Sequence, residues 1–361
     1  MTRKIYIGGE GITKRIAVGG DAPVTIQTMW KEPIAGLDTD EKKRTELLKK
    51  INTLQLLGCD ILRFAVPDME SAHAFNSIAA ETTMPLVADI HFDYRLALEC
   101  LKGHVAAIRI NPGNIGKREN VEAVVNGCRT HGVAIRIGVN TGSLPKDLEA
   151  QVEAGNLTRA AALADTAARE ASVFEELKFD RIVVSMKASS VRETIEANEA
   201  FAKRYDIPLH IGVTEAGPLI TGIVKSTLAF STLLDEGIGD TIWVSLSSAP
   251  ENEVIAGREI LYECGRRSGG VKIVSCPRCG RQGFDVHSFV DRWQNELLSM
   301  QKDITVAVMG CVVNGPGEGK HADIGIAGAG GKAVIFKKGK IVRTIDEKDA
   351  DKIFREELNT L

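Results

Sequence analysis

The chain repeats one pattern along most of its length: a short run rich in Val and Ile, then a stretch whose apolar positions follow the period of an α-helix. The runs are continuous rather than alternating, which is typical of strands buried on both faces of a parallel sheet. The predicted strands are residues 24–29, 61–66, 86–90, 106–110, 134–139, 181–186, 209–213 and 241–246. The predicted helices between them include residues 40–57, 71–82, 121–131, 157–177 and 191–205.

Eight such units predict an α/β fold of the TIM-barrel class, a closed (β/α)8 barrel. An open doubly wound sheet is the alternative, although no GxGxxG sequence follows the first strand to support it. After the linker-like residues 266–270 the pattern changes to short strands, one helical stretch at 284–300 and a hairpin. We therefore predict two domains, the barrel at residues 1–265 and a small α/β domain at residues 266–361.

Composition excludes several classes of function. The 361 residues carry a net charge of −3 and only 5% aromatic residues, so neither the charge nor the stacking surface for nucleic-acid binding is present. No run of about 18 apolar residues occurs, and no signal pattern is seen at the start. We therefore expect a cytoplasmic protein without a membrane span. In a reducing compartment the seven Cys favour metal-binding or reactive roles over disulfides.

Basic residues stand at the ends of four predicted strands, where a barrel builds its sites. They are Arg63, Arg109, Arg136 and Lys187. A single Arg in a strand usually pairs with a carboxylate, but several cations at one mouth are costly to bury unless anions balance them. Since few carboxylates are available and Arg forks match phosphate oxygens, the pattern predicts a phosphate- or diphosphate-binding mouth.

Further polar side chains follow the same strand ends, and we expect them to line the mouth. They are Asp89, His91, Asn111, Asn140, Thr214, Glu215 and Ser245. Glu215 is the candidate for catalysis among them. It could handle protons or act as a counter-charge to the cations, and the spacing does not decide between these roles.

The candidate metal ligands lie in the C-terminal domain. They are Cys276, Cys279, Cys311 and Glu318. The first two form a CxxC pair, and the third precedes the carboxylate in a Gly-rich loop; three thiolates suit a [4Fe–4S] cluster whose remaining iron has an oxygen ligand. Structural zinc completed by His287 or His321, or a redox dithiol, fits the same spacing. The other four Cys are expected to be ordinary buried thiols.

Six segments together resemble the 4-hydroxy-3-methylbut-2-en-1-yl diphosphate synthase family of the methylerythritol phosphate route to isoprenoids. They are VADIHFDYR at 87–95, RINPGN at 109–114, RIGVN at 136–140, GVTEAG at 212–217, CPRCGR at 276–281 and GCVVNGPGE at 310–318. They occur in the family's order over nearly the whole chain, and the two Cys segments are highly specific in combination. The resemblance implies the compact bacterial form, a TIM barrel followed by a small iron–sulfur domain.

The resemblance also implies a chemistry. The substrate is 2-C-methyl-D-erythritol 2,4-cyclodiphosphate, with its diphosphate held by the four basic residues and with Asn111, Asn140, Thr214 and Ser245 nearby. Two electrons from flavodoxin or ferredoxin open the ring and remove a hydroxyl, while Glu215 faces the substrate as proton donor or electrostatic partner. Two chains pair head to tail, so that the cluster of one closes the mouth of the other. The implied ligands of the [4Fe–4S] cluster are Cys276, Cys279, Cys311 and Glu318.

Two positions depart from the family pattern. Trp243 stands where the family usually has Arg, which removes one expected phosphate contact. The first strand continues as QTMWKE at 27–32, where we expect Met-Thr-Asn-Thr. Lys31 lies in this segment, and we expect it to restore the missing charge.

A function of a different class fits part of the pattern. Lys187 at the end of the sixth predicted strand, surrounded by phosphate-binding Arg residues, suits a Schiff-base aldolase acting on a sugar phosphate, with structural zinc in the tail. The tail could also be a non-catalytic zinc-ribbon module, although Arg278 and Arg281 are too few for nucleic-acid binding.

Overall fold

The chain, analysed as a computed structural model, divides into two compact units, residues 1–267 and 268–361. The structure describes residues 1–277, 279, 283–312, 317 and 319–361. Among these described residues, no helix is both long and apolar enough to cross a membrane.

The first unit is a barrel of eight parallel strands. They are Thr25–Met29 (β3), Ile61–Ala65 (β4), Leu86–Asp89 (β5), Ala107–Ile110 (β6), Ala134–Asn140 (β7), Ile182–Lys187 (β8), His210–Ile211 (β9) and Thr241–Ile242 (β10), preceded by Ile5–Ile7 (β1) and Ile16–Val18 (β2). The sheet order is β8-β7-β6-β5-β4-β3-β10-β9, and a parallel bridge between Val184 and Leu209 joins its two ends. The predicted TIM barrel is confirmed.

Helices follow the barrel strands. They are Glu41–Leu57 (α1), Met69–Ala80 (α2), Tyr94–Cys100 (α3), Pro112–Ile115 (α4), Arg118–His131 (α5), Lys146–Glu153 (α6), Arg159–Glu176 (α7), Val191–Ala202 (α8), Leu219–Asp235 (α9) and Pro250–Glu263 (α10). The spacing of apolar residues predicts where these helices lie, but the first residue of a helix depends on its capping side chain. The helix predicted to start at residue 71 starts at Met69, because the side chain of Asp68 accepts a hydrogen bond from the Ser71 N–H.

Two barrel strands are shorter than their apolar runs predict. The runs at 209–213 and 241–246 form only the two-residue strands β9 and β10. After these two strands the backbone no longer makes the regular hydrogen bonds of the sheet, and its side chains line the barrel mouth. The apolar sequence therefore extends further than the strand itself. A last pairing is made by Trp243, whose N–H donates to the Ile211 carbonyl at 3.1 Å.

An antiparallel hairpin closes the N-terminal end of the barrel. β1 pairs with β2, and their side chains Ile5, Ile7 and Val18 pack against the first inward residues of the barrel strands, such as Ile61 and Ala107. This apolar plug excludes water from the bottom of the barrel, so the polar interior opens only at the C-terminal ends of the strands.

The described residues of the second unit form a mixed sheet with two α-helices whose bounds are given below. Its strands are Val271–Ser275 (β11), Ile304–Met309 (β12), Ile324–Gly328 (β13), Lys332–Lys337 (β14) and Lys340–Asp346 (β15), and its helices are Val286–Ser299 (α11) and Ala350–Leu358 (α12). The sheet runs β11-β12-β13-β14-β15, with the first three strands parallel and the last two antiparallel. Both helices meet in an aromatic cluster, in which the ring of Phe354 lies 5.2 Å from Phe289 and 5.0 Å from Trp293.

Candidate active site at the barrel mouth

Four buried cations lie on the barrel strands, with Lys187 at the C-terminal end of its strand and the three Arg residues further inside. They are Arg63 on β4, Arg109 on β6, Arg136 on β7 and Lys187 on β8, hereafter the cation cluster. Each of these residues is only 4% to 8% exposed. The parallel register places Arg109 directly beside Arg136 on the neighbouring strand. The barrel therefore brings together the four basic residues that the sequence places on separate strands.

One carboxylate lies within this group. Arg109 Nη1 donates to Asp89 Oδ1 at 3.0 Å, and Arg63 Nε lies 3.5 Å from Asp89 Oδ2. Arg136 instead donates to the amide oxygen of Gln27, a neutral group. Within the described residues Lys187 makes no ion pair, so one anion stands against four cations.

The charges of the cluster influence one another. Burial alone would raise the pKa of Asp89, but Arg63, Arg109 and Arg136 outweigh it and hold that pKa below its ordinary value. Burial, reinforced by Arg63, Arg136 and Arg109, lowers the pKa of Lys187 well below its ordinary value. Arg guanidinium groups keep their protons in proteins, so in their case the same repulsion remains as an unfavourable energy.

Several donors of the cluster lack a hydrogen-bond partner. Among the described residues these are Arg63 Nε, Arg109 Nε, Arg136 Nε and Arg136 Nη2. Buried polar groups are nearly always hydrogen-bonded, and removing an ion from water without compensation costs several kcal/mol. A ligand with several anionic oxygens would satisfy these donors and this charge together.

Two glycines make room for the cations. A Cβ atom on Gly138 would lie 2.5 Å from the guanidinium nitrogens Nε and Nη2 of Arg109, and one on Gly212 would lie 3.1 Å from Lys187 Cε. Larger side chains at these two positions would displace the cations, so the small residues are part of the site.

The other predicted site residues occupy different depths. His91 is half-exposed, and its Nε2 lies 3.4 Å from Arg109 Nη1. Asn111 is buried, and its side-chain oxygen accepts the Gly113 N–H at 3.1 Å as the cap of α4, so it has a structural role as well. Thr214 and Ser245 are partly buried. Asn140 is likewise partly buried and ends β7, at the register of Lys187.

Glu215 is exposed and adopts a left-handed backbone conformation with φ 49°. Residues other than glycine rarely adopt this conformation, which costs about 1 kcal/mol or more. Such strain is concentrated at functional positions, and its presence at the predicted catalytic carboxylate is consistent with a functional role.

Lys31 does not supply a free positive charge, contrary to our expectation. Its Nζ lies 2.9 Å from Glu253 Oε1 and donates to the Leu246 carbonyl oxygen at 2.7 Å. Glu253 is 1% exposed, so this carboxylate neutralises the ammonium group inside the protein. The pair cannot replace the charge of the Arg that the family usually has at position 243.

Three partners of the site were absent from the sequence prediction. Gln27 is hydrogen-bonded to Arg136, Glu253 is the buried partner of Lys31, and His210 is fully buried beneath the cations. Burial, followed by Lys187 and Arg136, lowers the pKa of His210 well below its ordinary value. Gln27 and His210 could have been noticed because each is a polar residue within an apolar strand. Glu253 lies in a helix, where a charged residue is common, so the sequence offered no signal for it.

A cavity of about 700 Å³ opens at the ends of β3, β4 and β10. Its walls include Met29, Ala65, Trp243 and Ser245. The four cations are not among its described lining residues, but Trp243 contacts two of them, Arg63 and Lys187.

The three candidate Cys ligands lie in the second unit. Cys276 directly follows β11 and Cys311 follows β12, and these strands are parallel neighbours. Cys279 is exposed, and Glu318 lies outside the described residues. Within the described part of the chain no three His, Cys, Asp or Glu side chains are gathered closely enough to hold a metal ion.

One contact nevertheless fits a cluster ligand. The Gly310 N–H donates to Cys276 Sγ at 3.1 Å, as backbone N–H groups do to the sulfur atoms of iron–sulfur sites.

The Cys residues of the barrel differ from these candidate ligands. Burial raises the pKa of Cys100 and of Cys128 to about 12 and also raises that of Cys59, so these are inert buried thiols as expected. Cys264 is only partly buried.

Comparison with known proteins identifies close relatives. The model described as the GcpE TIM-barrel domain matches residues 2–258, and that described as the GcpE protein C-terminal domain matches residues 272–360. Three similar proteins are named 4-hydroxy-3-methylbut-2-en-1-yl diphosphate synthase (flavodoxin). They come from Treponema pallidum (58% identical, covering 99% of this chain and 92% of the relative), Treponema denticola (56%, 100% and 99%) and Clostridium perfringens (48%, 96% and 95%).

Replacing the central carboxylate tests the charge balance of the site. Asp89→Asn leaves Arg63 and Arg109 without their anion, so we expect the free energy of unfolding at neutral pH to fall by about 3–5 kcal/mol. Urea denaturation followed by circular dichroism measures it. Asp93→Asn is the matched control: it removes an exposed ion pair with Arg95 but keeps a capping side chain, so its cost should stay below about 1 kcal/mol.

The pH dependence gives the sign of the effect. The lowered pKa of Asp89 means that its stabilisation is present above the unfolded pKa and is lost as pH falls through the folded pKa. The gap between wild type and Asp89→Asn should therefore close in acid. Equal costs for the Asp89 and Asp93 variants at neutral pH would contradict this account.

Proposed function

The chain belongs to the GcpE family, and we propose that its cation cluster and C-terminal Cys residues carry out the reaction of its relatives, the synthesis of 4-hydroxy-3-methylbut-2-en-1-yl diphosphate. The chain is an oxidoreductase of the methylerythritol phosphate route. It reduces 2-C-methyl-D-erythritol 2,4-cyclodiphosphate with two electrons and one proton, and the products are the linear allylic diphosphate, which carries one more negative charge, and one water. The aldolase alternative loses its support, because family membership accounts for the same residues.

The observation that carries this proposal is the excess of buried positive charge at the barrel mouth. The cation cluster meets one carboxylate, Asp89, and several of its donors have no hydrogen-bond partner among the described residues. A cyclic diphosphate supplies anionic oxygens in the number and spacing that Arg forks and a Lys can bind.

Ring opening increases the need for these cations. The C–O bond from carbon 2 to the bridging phosphate breaks, and the freed phosphate end then carries an additional negative charge. Fixed cations in a water-poor site stabilise charge that develops during a reaction without having to reorganise. The cation cluster thus binds the substrate and stabilises the departing phosphate end.

The hydroxyl that is lost must leave as water, which requires a proton. Glu215 is the carboxyl group that we assign as the donor, because it lies in the loop after β9 and is exposed rather than paired within the described residues. Thr214 directly precedes it, and its N–H donates to the Ala188 carbonyl at 3.0 Å, which ties this loop to the end of β8.

We assign Cys276, Cys279, Cys311 and Glu318 as the residues that hold a [4Fe–4S] cluster. Cys276 and Cys311 stand at the ends of neighbouring strands, and the N–H contact to Cys276 Sγ fits a thiolate ligand. A bound cluster would supply electrons to the substrate one at a time.

Head-to-tail pairing of two chains and a cytoplasmic location stay predictions. Sedimentation velocity tests whether two chains pair.

The electron donor is proposed to be flavodoxin, which the names of the relatives print; ferredoxin is the alternative.

Anaerobic turnover tests the proposed function. With a chemical reductant and the cyclodiphosphate, the wild type should form the allylic diphosphate. Cys311→Ser should lose most of the bound iron and sulfide, the broad visible absorption, and at least about a hundredfold in activity, because a cluster ligand is removed. Cys264→Ser, a partly buried barrel thiol, is the control and should keep all three. An active Cys311→Ser protein with a full iron content would contradict the assignment.

A further inference from the structure

The indole of Trp243 lies between two members of the cation cluster. Arg63 Cζ is 4.5 Å and Lys187 Nζ is 4.3 Å from the centre of the ring system. Both distances are within the range in which a cation is attracted to an aromatic face. One side chain therefore contacts two of the four cations.

The barrel geometry explains why these three side chains meet. Trp243 directly follows β10, and in the sheet order β10 is two strands away from β4 on one side and from β8 on the other. Inward side chains from alternate strands of a TIM barrel share a layer. The indole thus belongs to the same set of alternate strands as Arg63 and Lys187.

Glu253 fixes the orientation of the indole. Its Oε2 accepts the Trp243 Nε1–H at 2.8 Å, and its Oε1 accepts the Leu246 N–H at 2.9 Å and pairs with Lys31. Thr28 also donates to this carboxylate. With these four partners the buried charge is fully satisfied, so Glu253 has a single stable arrangement, and the ring that it holds shares that arrangement.

The indole stabilises its cations in a different way from a carboxylate. A carboxylate beside Lys187 would neutralise the ammonium group and would also repel an incoming diphosphate. An aromatic face attracts the cation through its quadrupole and carries no net charge. The positive charge of Arg63 and Lys187 therefore remains available to the ligand.

We propose that Trp243 is a positioning residue, anchored by Glu253, that holds Arg63 and Lys187 ready for the anionic end of the substrate. The proposal rests on the proposed function, because it takes the ligand to be a diphosphate. It gives the departure from the family pattern at position 243 a role: the chain replaces an additional charge by an aromatic face that organises two existing charges.

This role can be tested by substitutions that distinguish the effect of the aromatic ring from the effect of side-chain size. Trp243→Leu removes the face, and inorganic pyrophosphate should bind about tenfold more weakly, as expected for a desolvated cation–π contact. Trp243→Phe keeps a face and should stay within about threefold of wild type. Trp293→Leu is the matched control, since it makes the same substitution at a buried indole of the second unit, where the ring contacts Arg355, and it should bind as wild type does. Isothermal titration calorimetry measures all four proteins.

The pH profile distinguishes positioning from general packing. The aromatic face favours the charged form of Lys187, so its removal should move the alkaline decline of pyrophosphate binding to lower pH in Trp243→Leu, but not in Trp293→Leu. Wild-type affinity in Trp243→Leu, or an equal loss in Trp293→Leu, would overturn the proposal while leaving the proposed function intact. If wild type binds neither pyrophosphate nor the cyclodiphosphate, the proposed function itself fails.

Discussion

The barrel mouth buries four cations next to one carboxylate, and this imbalance constrains the residues around it. Each uncompensated ion costs several kcal/mol to bury. The surrounding residues therefore have to stabilise the cations without neutralising all of their charge. Asp89 meets two of them, Gln27 meets a third, and Trp243 provides an uncharged face. The result is a site that is stable enough to fold and still deficient in negative charge.

The closed barrel makes this arrangement possible. Strands from all sides direct side chains to one point, and the hairpin β1–β2 seals the opposite end with apolar residues. Low water content strengthens the electrostatic interactions between the cations and an anionic ligand. Gly138 and Gly212 then leave the space that two long cationic side chains need. The excess of positive charge at the mouth is thus a property of the barrel as a whole rather than of any single loop.

Much of this could be predicted from the sequence, for identifiable reasons. Continuous Val and Ile runs show buried parallel strands, so the barrel followed from periodicity, and strand ends gave the cationic residues. Contacts between distant segments were not accessible in this way. Glu253 lies in a helix more than 200 residues from its partner Thr28. Because Glu253 also pairs with Lys31, the positive charge that the sequence predicts at Lys31 is neutralised. The ligand assignment of Glu318 lies outside the described residues and remains a prediction.

The most direct test is an anaerobic crystal structure of the protein with 2-C-methyl-D-erythritol 2,4-cyclodiphosphate. The account predicts diphosphate oxygens at hydrogen-bond distance, about 2.7–3.1 Å, from the cation cluster, with the nitrogens that lack partners in the free protein now satisfied. Arg63 and Lys187 should keep their contacts with the indole of Trp243. A diphosphate bound elsewhere, with the cations re-paired to protein carboxylates, would contradict it.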